Sequence, residues 1–153
     1  MTLIVAVRKG HTTIARTLIS KGADLDATDA NQRTALIWAS RAGHASIVRE
    51  LLEKGADRNV TDDNGATALI VATRHGHDDV ARALIDKGAD MNVMEKRGRF
   101  NFTALSYARA RRHVSIAQAL LTAGADEGTG SPWRYHARSQ CSDKWALLWL
   151  LLY

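Results

Sequence analysis

The residues in this chain best suited to chemistry are its histidines. His11, His44 and His77 stand 33 residues apart, and His113 follows 36 residues later. An imidazole is the usual general base near neutral pH and a common metal ligand. His75-Gly76-His77 places two such rings close together, but a zinc centre takes at least three protein ligands, and no third one accompanies them. Cys141 is the single cysteine, which rules out a cysteine-rich zinc site and an internal disulfide and fits a reducing compartment. No Ser-His-Asp arrangement has supporting context, and no glycine-rich phosphate loop is present. One histidine at the same phase of each unit reads instead as a structural hydrogen-bonding position. The chain is accordingly expected to be non-enzymatic, with no metal and no cofactor.

The histidines keep time with other residues. Gly22-Ala23-Asp24, Gly55-Ala56-Asp57 and Gly88-Ala89-Asp90 recur at 33-residue intervals, and Gly124-Ala125-Asp126 comes 36 residues after the third. Gly10, Gly43 and Gly76 precede the histidines in the same phase, and Thr34-Ala35-Leu36 returns as Thr67-Ala68-Leu69. A fixed period of this length means a stacked array, because one such unit cannot bury its own apolar face.

The unit from Asp29 to Thr61 shows what each repeat builds. Asp29-Ala30-Asn31-Gln32 has turn chemistry, since Asp and Asn side chains bond nearby backbone and tolerate left-handed geometry. Thr34 is positioned to cap a first helix, with Ala35, Leu36 and Ala39 on its apolar side. Gly43 is expected to end that helix in a positive-φ conformation. Ile47, Val48, Leu51 and Leu52 form one stripe of a second helix at helical period, and Gly55 ends it. The stripe recurs as Ile14, Ala15, Leu18 and Ile19, as Val80, Ala81, Leu84 and Ile85, and as Ile116, Ala117, Leu120 and Leu121. Helices of about ten residues are marginal alone in water; stacking stabilises them as a sum of neighbour interfaces.

This unit resembles the ankyrin repeat. The marks are Asp62-Asp63-Asn64-Gly65, Thr67-Ala68-Leu69, Ala72, Gly76-His77, and Leu84-Ile85 followed by Gly88-Ala89-Asp90. The resemblance covers roughly residues 1–126, as repeats of about 1–28, 29–61, 62–94 and 95–126. It implies an all-α, ankyrin-type helix-turn-helix solenoid with hairpin-like loops, about four repeats long, and a protein–protein interaction module. Ala35, Ala68 and Ala104 stand where the family usually has proline, and Ile37, Ile70 and Ser106 where it usually has histidine. These departures imply the loss of some rigidity and of a Thr–His hydrogen bond, and they read as tolerated variation.

In ankyrin-like stacks the first helices and loop tips line a concave face where partners bind. Carried over by position, that face takes Arg8, Lys9, Arg41, Arg74, His75, Arg109 and Arg111 from the ends of first helices. The tips add Asn31, Arg33, Asp63, Asn64, Lys96, Arg97 and Arg99. The bias is basic, as is the whole chain, with a net charge of +5 and a pI of about 9.7. The expected partner is a protein with an acidic surface, bound by a monomeric array. Nucleic acid is the weaker reading, because few aromatic platforms accompany the basic residues.

Three places break the period. Met1 falls in mid-repeat, so the first unit is either a cap or the product of a clipped reading frame; the apolar Leu3-Ile4-Val5 favours clipping. Arg99, Phe100, Asn101 and Phe102 replace the single residue between Gly65 and Thr67, and they include both phenylalanines. This insertion either folds back to pack its aromatics or serves as an interaction finger. Alternation along an extended segment suggests Phe102 turned inward and Phe100 more exposed. Beyond Asp126 the pattern stops. Residues 127–132 read as a linker and residues 133–153 as an atypical apolar tail carrying Trp133, Trp145 and Trp149. The tail is a cap on the fourth repeat, a membrane or partner contact, or an accidental extension. No segment has the roughly 18–20 apolar residues of a membrane span, and Leu3 to Val7 lacks the basic flank of a signal peptide. A cytoplasmic location is expected.

Overall fold

The computed structural model describes residues 2–98 and 100–126. Arg99, Met1 and the linker and tail at 127–153 lie outside the described residues, together with the expectations attached to them. Helices come in pairs: α1 (Leu3–Arg8) with α2 (Thr12–Ser20), α3 (Ala35–Ala42) with α4 (Ala45–Glu53), α5 (Ala68–His75) with α6 (Asp78–Asp86), and α7 (Ala104–Ala110) with α8 (Val114–Thr122). The first helices stack in one row, α1–α3–α5–α7, and the second helices in another, α2–α4–α6–α8. The described residues form an all-α solenoid of four helix pairs, with one short hairpin between α6 and α7.

Local chemistry sets the helix ends. Thr34, Thr67 and Thr103 cap the first helices of the last three pairs, and their Oγ1 atoms accept from the amides of Ile37, Ile70 and Ser106 at 3.3, 3.4 and 3.3 Å. Gly43 and Gly76 stop α3 and α5 at φ +74° and +76°. A Cβ on Gly43 would meet the ring of His77 at 2.8 Å, and one on Gly76 would meet His113 at 2.7 Å. Glycine is therefore required there twice over, for its backbone and for the imidazole packed on it. In the fourth unit Arg112 takes this position and is still left-handed, at φ +61°, a strained conformation for a side chain of its size.

The Gly-Ala-Asp triplet has a double role. Asp24, Asp57 and Asp90 each accept, through Oδ1, from the amide two residues on. Their positions in the following repeats are tied across: the amides of Asp57, Asp90 and Asp126 donate to Asp26 Oδ1, Asn59 Oδ1 and Asn92 Oδ1 at 2.9, 2.9 and 3.0 Å. This ladder locks the loop of each repeat to the next.

The core is continuous through the stack. Leu36, Ile37, Ile47, Leu51, Leu69, Ile70, Leu84, Ile116 and Leu120 are essentially without solvent contact. One member of the expected stripe falls outside it: Ile14 is 43% exposed. It lies on α2, at the end of the second row, where α2 packs on α1 and α4.

Two short strands form a hairpin around the insertion. β1 (Glu95–Arg97) pairs antiparallel with β2 (Phe100–Phe102), matching Glu95 with Phe102 and Arg97 with Phe100. The hairpin is joined to the preceding tip, since the Lys96 amide donates to the Asn64 carbonyl at 2.8 Å. Phe102 is half-buried and stacks on Tyr107 at 5.0 Å between centroids, whereas Phe100 is 44% exposed. The two phenylalanine rings share a face and meet edge-on at 6.5 Å, as strand alternation requires. Phe102→Ala is expected to cost about 1–3 kcal/mol, less than a fully buried phenylalanine, and Phe100→Ala less than about 0.5 kcal/mol. Chemical denaturation of both variants checks the difference.

Candidate functional site

The four first helices contain no acidic residue, and three of them carry arginine in the last turn and a fourth both arginine and histidine. The helical acids sit on two of the second helices, α4 and α6, as Glu50, Glu53, Asp78, Asp79 and Asp86. The reason is positional. The last turn of a first helix ends in orphan carbonyls that favour cations, and the first turn of α6 has free amides that favour Asp78 and Asp79.

The residues expected on this face divide in three ways. Arg8, Lys9, Arg41, Lys96 and Arg111 are exposed, and none of them makes an ion pair among the described residues. Arg109 is half-buried in the last turn of α7. Arg33 is half-buried, 3.9 Å from Asp62. Arg97 is on the surface of β1 but is held by Glu95 at 3.0 Å.

Arg74 corrects the expectation of a free groove cation. It is buried, and its Nη1 donates to Glu95 Oε1 at 2.6 Å, with Glu95 wholly enclosed. The guanidinium also lies over the ring of Tyr107, 5.8 Å from its centroid. Glu95 Oε2 and the Tyr107 hydroxyl are buried without a hydrogen bond. Burial, and then the neighbouring Glu95 carboxylate, push the Tyr107 phenol above its ordinary value. This cluster fastens the hairpin to the array.

His75 and His77 stack in parallel at 6.1 Å. His77 Nε2 donates to the Arg41 carbonyl of the previous repeat at 3.1 Å, the structural role read from its phase. His75 Nδ1 donates to the Val71 carbonyl at 2.9 Å. Burial, with Arg74 and Arg41 adding to it, lowers the His75 pKa. Among the described residues no three His, Cys, Asp or Glu side chains converge as metal ligands would.

Sequence reasoning missed Trp38, on α3. Its indole is half-buried, and its Nε1 donates to Asp29 Oδ2 at 2.9 Å. Asp29 also accepts the amides of Asn31 and Arg33 on Oδ1. Burial alone would raise the Asp29 pKa, but these three hydrogen bonds outweigh it and hold the carboxyl below its ordinary value. The guanidiniums of Arg33, Arg41 and Arg8 surround the indole, at 5.2, 5.7 and 5.8 Å from its centroid. A phase comparison would have found it: Val71 and Tyr107 occupy the equivalent place in the next two repeats.

No helix of the described residues is long and apolar enough to cross a membrane. No curated protein matches the chain at a meaningful level of similarity. A family model described as ankyrin repeats (3 copies) matches residues 3–95 and, in a second placement, residues 61–131. The match spans well over half of the chain and agrees with helix pairs stacked in two rows, and the chain belongs to the ankyrin repeat family.

Proposed function

We propose that this array is a non-enzymatic module that binds an acidic segment of a partner protein along its first-helix face. Ankyrin repeats generally serve as protein–protein interaction modules and are typically non-enzymatic. The observation that carries the finer reading is the segregation of charge. The first helices have cations and no acids, while the acids that lie on helices are on α4 and α6. Charge of one sign along a binding face governs the encounter rate and the choice of partner more than affinity.

The test uses polyglutamate as the acidic probe and random-sequence DNA as its rival. Arg41→Glu with Arg111→Glu should leave folding intact, since both positions are exposed. At low salt the association rate with polyglutamate should fall by about tenfold or more, within the range electrostatic steering covers. An unchanged rate sinks the basic-face reading. Tighter binding of the wild type to DNA than to polyglutamate turns the assignment to nucleic acid.

A further inference from the structure

Of the three guanidiniums around Trp38, only that of Arg33 has an ion-pair partner among the described residues. Each gains from the π-face of the indole, yet all three repel one another. The nearest acids are already engaged. Both oxygens of Asp29 accept hydrogen bonds from its own turn and from the indole. Asp62 accepts the amides of Asn64 and Ala66 and lies 3.9 Å from Arg33. Arg8 and Arg41 have no carboxylate among the described residues.

The arginine–aromatic pair recurs between the third and fourth repeats, there with a carboxylate bound to its arginine. Arg8, Arg41 and Arg74 share one phase, 33 residues apart. Trp38 and Tyr107 share another, allowing for the insertion. Arg8 of the first repeat lies over Trp38 of the second at 5.8 Å, and Arg74 of the third lies over Tyr107 of the fourth at 5.8 Å. Asp29, Asp62 and Glu95 share a third phase, again 33 residues apart. Asp29 is taken up by its turn and the Trp38 indole, and Asp62 by its turn and Arg33. Glu95 is one methylene longer and sits in a strand, so its carboxylate reaches Arg74 at 2.6 Å and Arg97 at 3.0 Å. The chain thus supplies its own carboxylate to the arginine of the pair at one end of the array, whereas Arg8 at the other end has no ion-pair partner among the described residues.

We propose that Arg8, Arg41 and Trp38 form an anchoring subsite for a carboxylate of an acidic partner segment. An outside Asp or Glu would occupy it as Glu95 occupies its counterpart from within. This rests on the reading of the first-helix face as a groove for acidic protein. The half-buried indole holds the exposed guanidiniums by stacking, and a planar carboxylate suits their forked donors. A phosphorylated side chain carries the same oxyanion chemistry, and the experiment separates the two.

The full chain is labelled with nitrogen-15, and the Trp38 Nε1–H resonance is identified by its loss in Trp38→Phe. Blocked oligoglutamate, oligoglutamine and phosphoserine peptides are titrated at low salt. Oligoglutamate should shift this resonance saturably, and oligoglutamine should not. Arg8→Gln with Arg41→Gln should weaken oligoglutamate about tenfold or more, the scale of losing charge-assisted hydrogen bonds, while Arg111→Gln should weaken it far less. Arg8→Lys with Arg41→Lys should restore only part of the loss, because lysine keeps the charge without the fork. Arg8 and Arg41 are exposed, and a dispersed amide spectrum verifies that each variant is folded. Undiminished oligoglutamate binding in the double glutamine variant, or full rescue by lysine, overturns the subsite and leaves the basic face standing. No oligoglutamate binding to the wild type overturns both. Binding of the phosphoserine peptide alone overturns the carboxylate assignment, and an equal response to oligoglutamine overturns any role for charge.

Discussion

Replacing Leu84 by alanine is expected to lower the unfolding free energy by about 2–5 kcal/mol, the range for a packed core leucine. Leu84 has no solvent contact. It lies on α6, which packs against α5 within its own repeat and against α4 and α8 on either side. The cavity would therefore weaken the third unit itself and its interfaces with the second and fourth. In an array held together by nearest-neighbour terms, that is where a single deletion does most damage. The matching control is Lys87→Ala, at the exposed C-cap of the same helix, expected to stay within about 0.5 kcal/mol of the wild type. Equal denaturation midpoints for the two variants would contradict the stacking.

Glu95→Ala should cost a similar amount for a different reason. The side chain of Glu95 is wholly enclosed and that of Arg74 is 9% exposed. Removing one member of a buried pair strands the other, at about 3–5 kcal/mol. Arg74 would keep only its place over the Tyr107 ring. The paired replacement Arg74→Met with Glu95→Leu should recover most of the loss, because apolar groups of similar volume often substitute for a buried ion pair without net cost. Arg97→Ala should be mild, since that side chain is 54% exposed and a surface ion pair contributes little. Urea denaturation of the three variants measures the ordering. If Glu95→Ala were as mild as Arg97→Ala, the pair would not be what fastens the hairpin to the array.

The turns, caps and stripes were legible in the sequence because they depend on neighbours within one repeat. Thr34 caps α3 through an amide three residues on, and Gly43 ends it through its own φ. A period repeated in phase also makes stacking unavoidable, since each second helix exposes an apolar stripe that only the next repeat can cover. The Asp62-Asp63-Asn64-Gly65 turn and the Leu84-Ile85 stripe needed no coordinates to be placed on loop and helix.

What stayed hidden depends on contacts between repeats and on small breaks in the pattern. Arg41 and Arg74 hold the same phase on successive first helices, and by sequence both read as groove cations. One is exposed and the other is buried. The difference comes from residue 95, where Glu replaces the Asp of earlier turns and the inserted residues allow a hairpin that aims its carboxylate inward. Trp38 was passed over for the same reason. Its significance lies in arginines 30 positions before it, five before it and three after it, and only the packing of α1 on α3 brings the first of these to its ring. The sequence by itself determined the fold, through interactions local to each repeat and multiplied by the period. The tertiary structure decided which of the equivalent charges face solvent, because that rests on the counter-charge a neighbouring repeat delivers.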